Sequence, residues 1–176
     1  SSGEVLATFS DFWHAEAEFP SRFGLNLREE ELYFGLTFED SWFSCESDKG
    51  EIRRLDLDSG TEEVFADGWS PSISPDGRWL AIVSAGSCYP DPETSGWVIT
   101  PGSQVEVFDL SLDGFSPSYV MQPKTPPESY EDESQVLAVF WDNGGDGLLV
   151  AMGDNTVRSV GLERGVVLDE APVVFE

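Results

Sequence analysis

Ser70-Pro71-Ser72-Ile73-Ser74-Pro75-Asp76-Gly77-Arg78-Trp79-Leu80-Ala81-Ile82-Val83-Ser84-Ala85 is the stretch on which the reading of this chain turns. It contains a short extended segment, a tight corner and an apolar strand. Asp-Gly and Asn-Gly turns suit such corners because tight hairpins need positive φ, which glycine and asparagine tolerate.

Outward from this corner the dominant period is two. Glu51-Ile52-Arg53-Arg54-Leu55-Asp56-Leu57, Gln104-Val105-Glu106-Val107-Phe108-Asp109-Leu110 and Thr156-Val157-Arg158-Ser159-Val160 alternate in whole or part, as half-buried strands do. Helical spacing is almost missing, and residues 29–36 argue for no more than a turn. Aligned on these strands, the chain repeats about every 50 residues, a blade-sized period. The first unit, 19–67, offers strands at 23–27, 31–36, 52–57 and 61–66. The second, 68–122, starts at Gly68-Trp69-Ser70-Pro71 and continues through 79–83, 104–110 and 118–122. The third, 134–176, has strands at 136–141, 148–152 and 156–162, with its last strand expected around Val166-Val167-Leu168. Residues 123–133, Pro-rich and then acidic, read as the linker between units two and three.

The expectation is therefore an all-β, β-propeller-like domain over 1–176, with about three four-stranded antiparallel blades. Closed propellers have four or more blades. The ring is then partial: a partner chain completes it, the chain belongs to a longer protein, or a further blade boundary is hidden in residues 4–30. Residues 4–9 and 173–175 could add strands.

Trp69-Ser70-Pro71-Ser72-Ile73-Ser74-Pro75-Asp76-Gly77-Arg78-Trp79-Leu80-Ala81 resembles the repeat of TolB-like, WD40-like (PD40) propellers. The likeness is good over residues 70–83. Unit one places Asn26 to Glu30 where the Ser-Pro-Asp-Gly corner belongs, and unit three carries the longer Trp141-Asp142-Asn143-Gly144-Gly145-Asp146-Gly147. The resemblance implies a propeller fold and, among its tasks, protein docking, periplasmic accessory roles and non-catalytic domains of peptidases. Fold alone sets no function.

Charge narrows the partners. Against 34 Asp+Glu stand only 9 Lys+Arg, a formal charge of -25, so a phosphate backbone or an anionic membrane surface would be repelled. No nucleic acid and no membrane insertion are expected, since no apolar run approaches the roughly 20 residues of a membrane helix. Basic proteins, cations at the acidic surface or plain solubility in salt fit the balance. No cofactor is implied. The Ser1-Ser2-Gly3 start is expected to reflect processing or trimming, and a processed start agrees with a periplasmic, cell-surface or secreted location.

Between their second and third strands, units one and two carry insertions, 39–50 and 84–103, where unit three turns tightly at Gly153-Asp154-Asn155. The insertions hold Trp42, Phe43 and Cys45 in one, and Cys88, Tyr89 and Trp97 in the other. Equivalent loops of neighbouring blades emerge together. Cys45 and Cys88 are thus either a disulfide, which would put the protein outside the reducing cytoplasm, or two small buried hydrophobes. Trp42, Phe43, Tyr89 and Trp97 are the candidate partner-binding residues. For Trp42 and Trp97 the alternatives are packing of the loops and sugar stacking. Trp69, Trp79 and Trp141 are expected in the core. His14 is the only histidine, so neither a histidine zinc site nor a Ser-His-Asp apparatus is indicated, and no G-x-S-x-G elbow accompanies it. Asp142-Asn143-Gly144-Gly145-Asp146 resembles part of a calcium loop, but turn chemistry explains it better. The functional expectation is a non-enzymatic protein-binding or assembly module acting outside the cytoplasm. The alternatives are the propeller portion of a hydrolase acting on sugar or peptide, and a structural subunit of an extracellular assembly.

Overall fold

The computed structural model describes residues 25–36, 50–84, 88–90, 97–99, 104–112, 115–124, 133–163 and 166–175. Its strands are β1 (Leu25–Arg28), β2 (Glu31–Leu36), β3 (Glu51–Asp56), β4 (Glu62–Ile73), β5 (Trp79–Ser84), β6 (Cys88–Pro90), β7 (Trp97–Ile99), β8 (Val105–Asp109), β9 (Tyr119–Met121), β10 (Val136–Trp141), β11 (Gly147–Met152), β12 (Val157–Gly161) and β13 (Val173–Phe175). Every strand pairing is antiparallel. Among the described residues the one helical element is the 3-10 turn Leu168–Glu170. The fold is all-β, as the period-two patterning requires.

Three four-stranded blades stack on one another. Blade I is β1-β2-β3 and the first half of β4, blade II is the second half of β4 with β5, β8 and β9, and blade III is β10-β11-β12-β13. The short hairpin β6-β7 stands apart as a two-stranded sheet. β4 is a single run shared by two blades: Glu62 to Asp67 face β3, and from Gly68 onward the strand pairs with β5. A break at Asp67-Gly68 is what the composition suggests. Instead the strand changes partner there without ending, through Gly68 at φ 150 and a bulge that leaves Ser70 at φ 55.

β5 shows why blade II is the centre of the stack. Leu80 and Ile82 join Tyr33, Ile52, Phe65 and Phe108 in the core shared with blade I. The alternate residues Ala81 and Val83 join Val105, Val107 and Met121 against Val139, Leu148 and Val150 of blade III. Because both faces are covered, the run from Leu80 to Val83 needs no polar alternation and is fully buried. Phe65 also meets Tyr33 and Phe108 edge-on, at centroid separations of 5.5 and 5.1 Å. The tryptophans expected inside lie on β4, β5 and β10, with Trp69 buried and Trp79 and Trp141 half-buried against the core.

One strand differs from expectation. The segment Val166-Val167-Leu168 is not the last strand of blade III: Val167 makes a parallel bridge to Gln122, and Leu168, fully buried, starts the 3-10 turn. Its apolar character serves a plug against blades II and III instead of a ladder position. The outermost strand is β13, which pairs Phe175 with Val157 and Val173 with Arg158.

Candidate functional site

The inner strands of the three blades lie side by side and are joined by side chains that act as substitute strand neighbours. Asn26 of β1 donates from Nδ2 to the Pro71 carbonyl at 2.6 Å and accepts the Ile73 N–H on Oδ1 at 3.2 Å. On the other side of β4, Trp69 Nε1 donates to the Leu137 carbonyl at 3.2 Å, and Trp141 Nε1 donates to the Ser72 carbonyl at 2.8 Å. The Ser70 and Ser72 hydroxyls accept the backbone N–H groups of Val139 and Trp141 at 3.2 and 3.3 Å. Partner numbers rise together along both seams, Asn26 meeting Pro71 and Ile73 and Arg28 meeting Gly77 on one, Trp69, Ser70 and Ser72 meeting Leu137, Val139 and Trp141 on the other, so β1, β4 and β10 run the same way. The connections from second to third strand therefore leave each blade at one end of the stack.

At the opposite end, the β1-β2 and β4-β5 corners enclose a cleft of about 380 Å³ lined by Leu27, Arg28, Ile73, Pro75, Asp76 and Arg78, among others. Arg28 closes its floor by donating from Nε to the Gly77 carbonyl at 2.7 Å and from Nη1 to Glu31 at 2.9 Å. Arg78 grips Asp109, with Nη2 2.7 Å from Oδ2, and stacks over the Trp79 ring. The Arg78 hydrogen bonds, aided by those from Ser111, hold the buried Asp109 carboxyl well below the usual carboxylate range. Asp76 accepts from the Ser74 hydroxyl and the Arg78 N–H, which explains the aspartate of the corner. Of the charged groups lining this cleft, Arg28, Asp76 and Arg78 are bound up in holding the corners, while Glu29 stands exposed at its edge. The apparent calcium loop is also turn chemistry: Asp142 Oδ1 accepts the N–H groups of Gly145 and Asp146 at 2.6 and 3.2 Å. Among the described residues, Glu29, Glu30, Asp56 and Asp58 gather at blade I turns, where a hydrogen bond that protonated Glu30 donates to Asp58, with repulsion by its acidic neighbours, raises the Glu30 pKa. Among the described residues no group of three His, Cys, Asp or Glu is arranged to hold a metal.

At the loop end, the roots of the two long insertions are tied together. Gly68 donates to the Gly50 carbonyl at 2.9 Å and pairs with Ser84, whose N–H reaches the Gln104 carbonyl at 2.9 Å. The far end of the first insertion and both roots of the second thus converge on one glycine. An added Cβ at Gly68 would stand 2.3 Å from the Val83 carbonyl oxygen, so the convergence requires glycine. Within the second insertion, β6 and β7 pair Cys88 with Ile99, Tyr89 with Val98 and Pro90 with Trp97. Trp42, Phe43, Cys45 and His14 lie outside the described residues, and Cys88, Tyr89 and Trp97 are placed by backbone alone.

The third feature was missed in the sequence. Cross-strand partners share a sheet face, and the register of blade III lines up Ala138, Ala151, Val157 and Phe175 in one row and Phe140, Leu149 and Ser159 in the next. These rows face away from blade II, whose contacts are made by Val139, Leu148 and Val150 on the reverse side. Phe140 is 55% exposed and Phe175 64%. The available signal was β11, Gly-Leu-Leu-Val-Ala-Met, apolar at alternate and intervening positions alike, as in β5.

No protein-family model matches the chain, and no curated protein matches it. Among solved structures it is similar to the β-propeller domain of the Trilobed protease from Pyrococcus furiosus, at 15% identity and TM-score 0.44, over 89% of this chain and 42% of that one. An acylaminoacyl peptidase in complex with Z-Gly-Gly-Phe-chloromethyl ketone matches at 21% identity and TM-score 0.38, over 77% and 18%. TolB from Acinetobacter baumannii matches at 15% identity and TM-score 0.26, over 82% and 40%. The chain spans less than half the length of each of these structures. At these levels the likenesses bear on no function.

Proposed function

We propose that the chain is a non-enzymatic propeller-type module that binds protein or builds an assembly. The single observation behind this reading is the outward face of blade III, apolar at six of the seven positions its register lines up and with two phenylalanines more than half exposed. A solvated sheet face alternates polar side chains outward. This face has instead the composition of the blade interfaces already inside the molecule, and contiguous exposed apolar surface of that kind marks interaction sites.

The finer likeness to TolB-like PD40 repeats is part of the same proposal, since such propellers serve as docking platforms. The insertions carrying Trp42, Phe43, Tyr89 and Trp97 form a second recognition surface, held at a common root by Gly68. Action outside the cytoplasm rests on a Cys45–Cys88 bridge, which alkylation with and without reductant would reveal as a mass difference.

The test is a Phe140→Ser/Phe175→Ser double variant. It is expected to retain the wild-type far-ultraviolet circular dichroism and to differ from wild type in self-association or in binding of an environment-sensitive apolar dye. A variant indistinguishable from wild type in both measurements would refute the reading.

A further inference from the structure

We infer that the outward face of blade III packs against the same face of a second copy of this chain, sheet on sheet, around a two-fold axis. The inference rests on the assembly reading above and names its occupant.

Charge favours this occupant. The chain carries 34 acidic residues, yet the aligned positions Ala138, Phe140, Leu149, Ala151, Val157, Ser159 and Phe175 include no Asp, Glu, Lys or Arg. A basic partner drawn by the field of an acidic protein would find no carboxylate here to pair with. A second copy brings an equally uncharged apolar sheet, so no charge is buried without a partner. A two-fold contact uses one patch twice and closes at two copies.

Shape suits it as well. Two sheets stack about 10 Å apart when the apolar side chains of both inner faces interdigitate. Phe140 and Phe175 are such side chains, and they stand on different rows across the four strands. Four strands at roughly 4.8 Å spacing and about six residues of strand give a face of roughly 20 by 20 Å. That is on the order of 400 Å² per copy, about half of what a standard stable interface buries on each side. The pairing is therefore reversible and concentration-dependent.

Salt sets the direction of a further effect. Two chains of charge -25 repel at low ionic strength. Shortening the Debye length from about 8 Å at physiological salt to about 3 Å at 1 M relieves that repulsion. Apolar burial remains, so association strengthens with salt.

Sedimentation velocity over a concentration series, at 0.15 and 1 M salt, tests the inference. Wild type is expected to show a monomer–dimer equilibrium that tightens with salt. Phe140→Glu and Phe175→Glu should each weaken it at least tenfold, while Val64→Glu, on blade I, should leave it unchanged. A dimer that ignores both phenylalanine substitutions, or that Val64→Glu breaks, overturns the face-to-face contact. A strictly monomeric wild type at both salt concentrations also overturns it. If that monomer binds an apolar dye that Phe140→Glu abolishes, the face has a different occupant and the binding-module reading stands. If it binds none, both fail together.

Discussion

Replacing Gly68 by alanine probes the point at which one strand passes from blade I to blade II. Two independent costs arise. Gly68 holds φ at 150, a region that side-chain-bearing residues occupy with a penalty of about 1–3 kcal/mol. The new methyl would lie 2.3 Å from the Val83 carbonyl oxygen and 3.2 Å from Ser84 Cα, both backbone atoms that cannot swing aside. Forcing one methyl into a close-packed site costs about 1–3 kcal/mol more. The sum, roughly 2–6 kcal/mol, is a large share of the 5–15 kcal/mol by which domains are typically stable. At about 2–4 °C per kcal/mol for a chain of this size, the melting temperature should fall by roughly 4–24 °C. Gly161→Ala is the control, because nothing lies within 4 Å of its added Cβ and no positive φ is involved. Thermal melts followed by circular dichroism measure both. A Gly68→Ala protein melting within about 1 °C of wild type would refute the close approach, and with it the common root of the insertions.

Two further outcomes are expected. Asn26→Asp should destabilise more than Asn26→Ala, by about 1–3 kcal/mol in chemical denaturation, because a carboxylate oxygen would then confront the Pro71 carbonyl where Nδ2 now donates; equal losses would deny the amide its bridging role. Glu106, half-buried on β8, has its pKa raised first by desolvation and then by Asp67, so its protonated form is favoured in the folded state. A carboxyl raised on folding loses stability as pH climbs from its unfolded value, near 4, through its folded one. Glu106→Gln should therefore melt higher than wild type at pH 7 and converge with it in acid; a variant less stable at pH 7 would reverse that sign.

The parts of the fold that were legible in the sequence are those whose information is local. The apolar run of β5, the alternation of β8 and the glycine-bearing corners announce strands and turns from a dozen residues at most. What stayed hidden depends on distant partners. Asn26 and Pro71 are 45 residues apart, and Ser72 and Trp141 are 69, so no local pattern distinguishes these polar groups from ordinary surface ones. Leu168 misled for the same reason: a valine-valine-leucine run looks like a strand, but its contacts with blades II and III make it a plug. Residues 173–175, a sequence candidate only for an extra strand, complete the ladder by pairing with β12 at Val157 and Arg158. For the candidate site, the two-faced apolar character of β11 was visible, but which of its faces stays open follows only from the stacking order.

The undivided β4 has a mechanical consequence. Blades I and II have one length of backbone in common, so neither can come apart without pulling ladder bonds from the other, and the two should open together in a single step. Among the described residues blade III shares no strand with them and is held through buried side chains, the four side-chain hydrogen bonds to β4 given above and the bridge at Gln122. In slow amide exchange it should behave as a separate door on the same frame, swinging first and at lower cost.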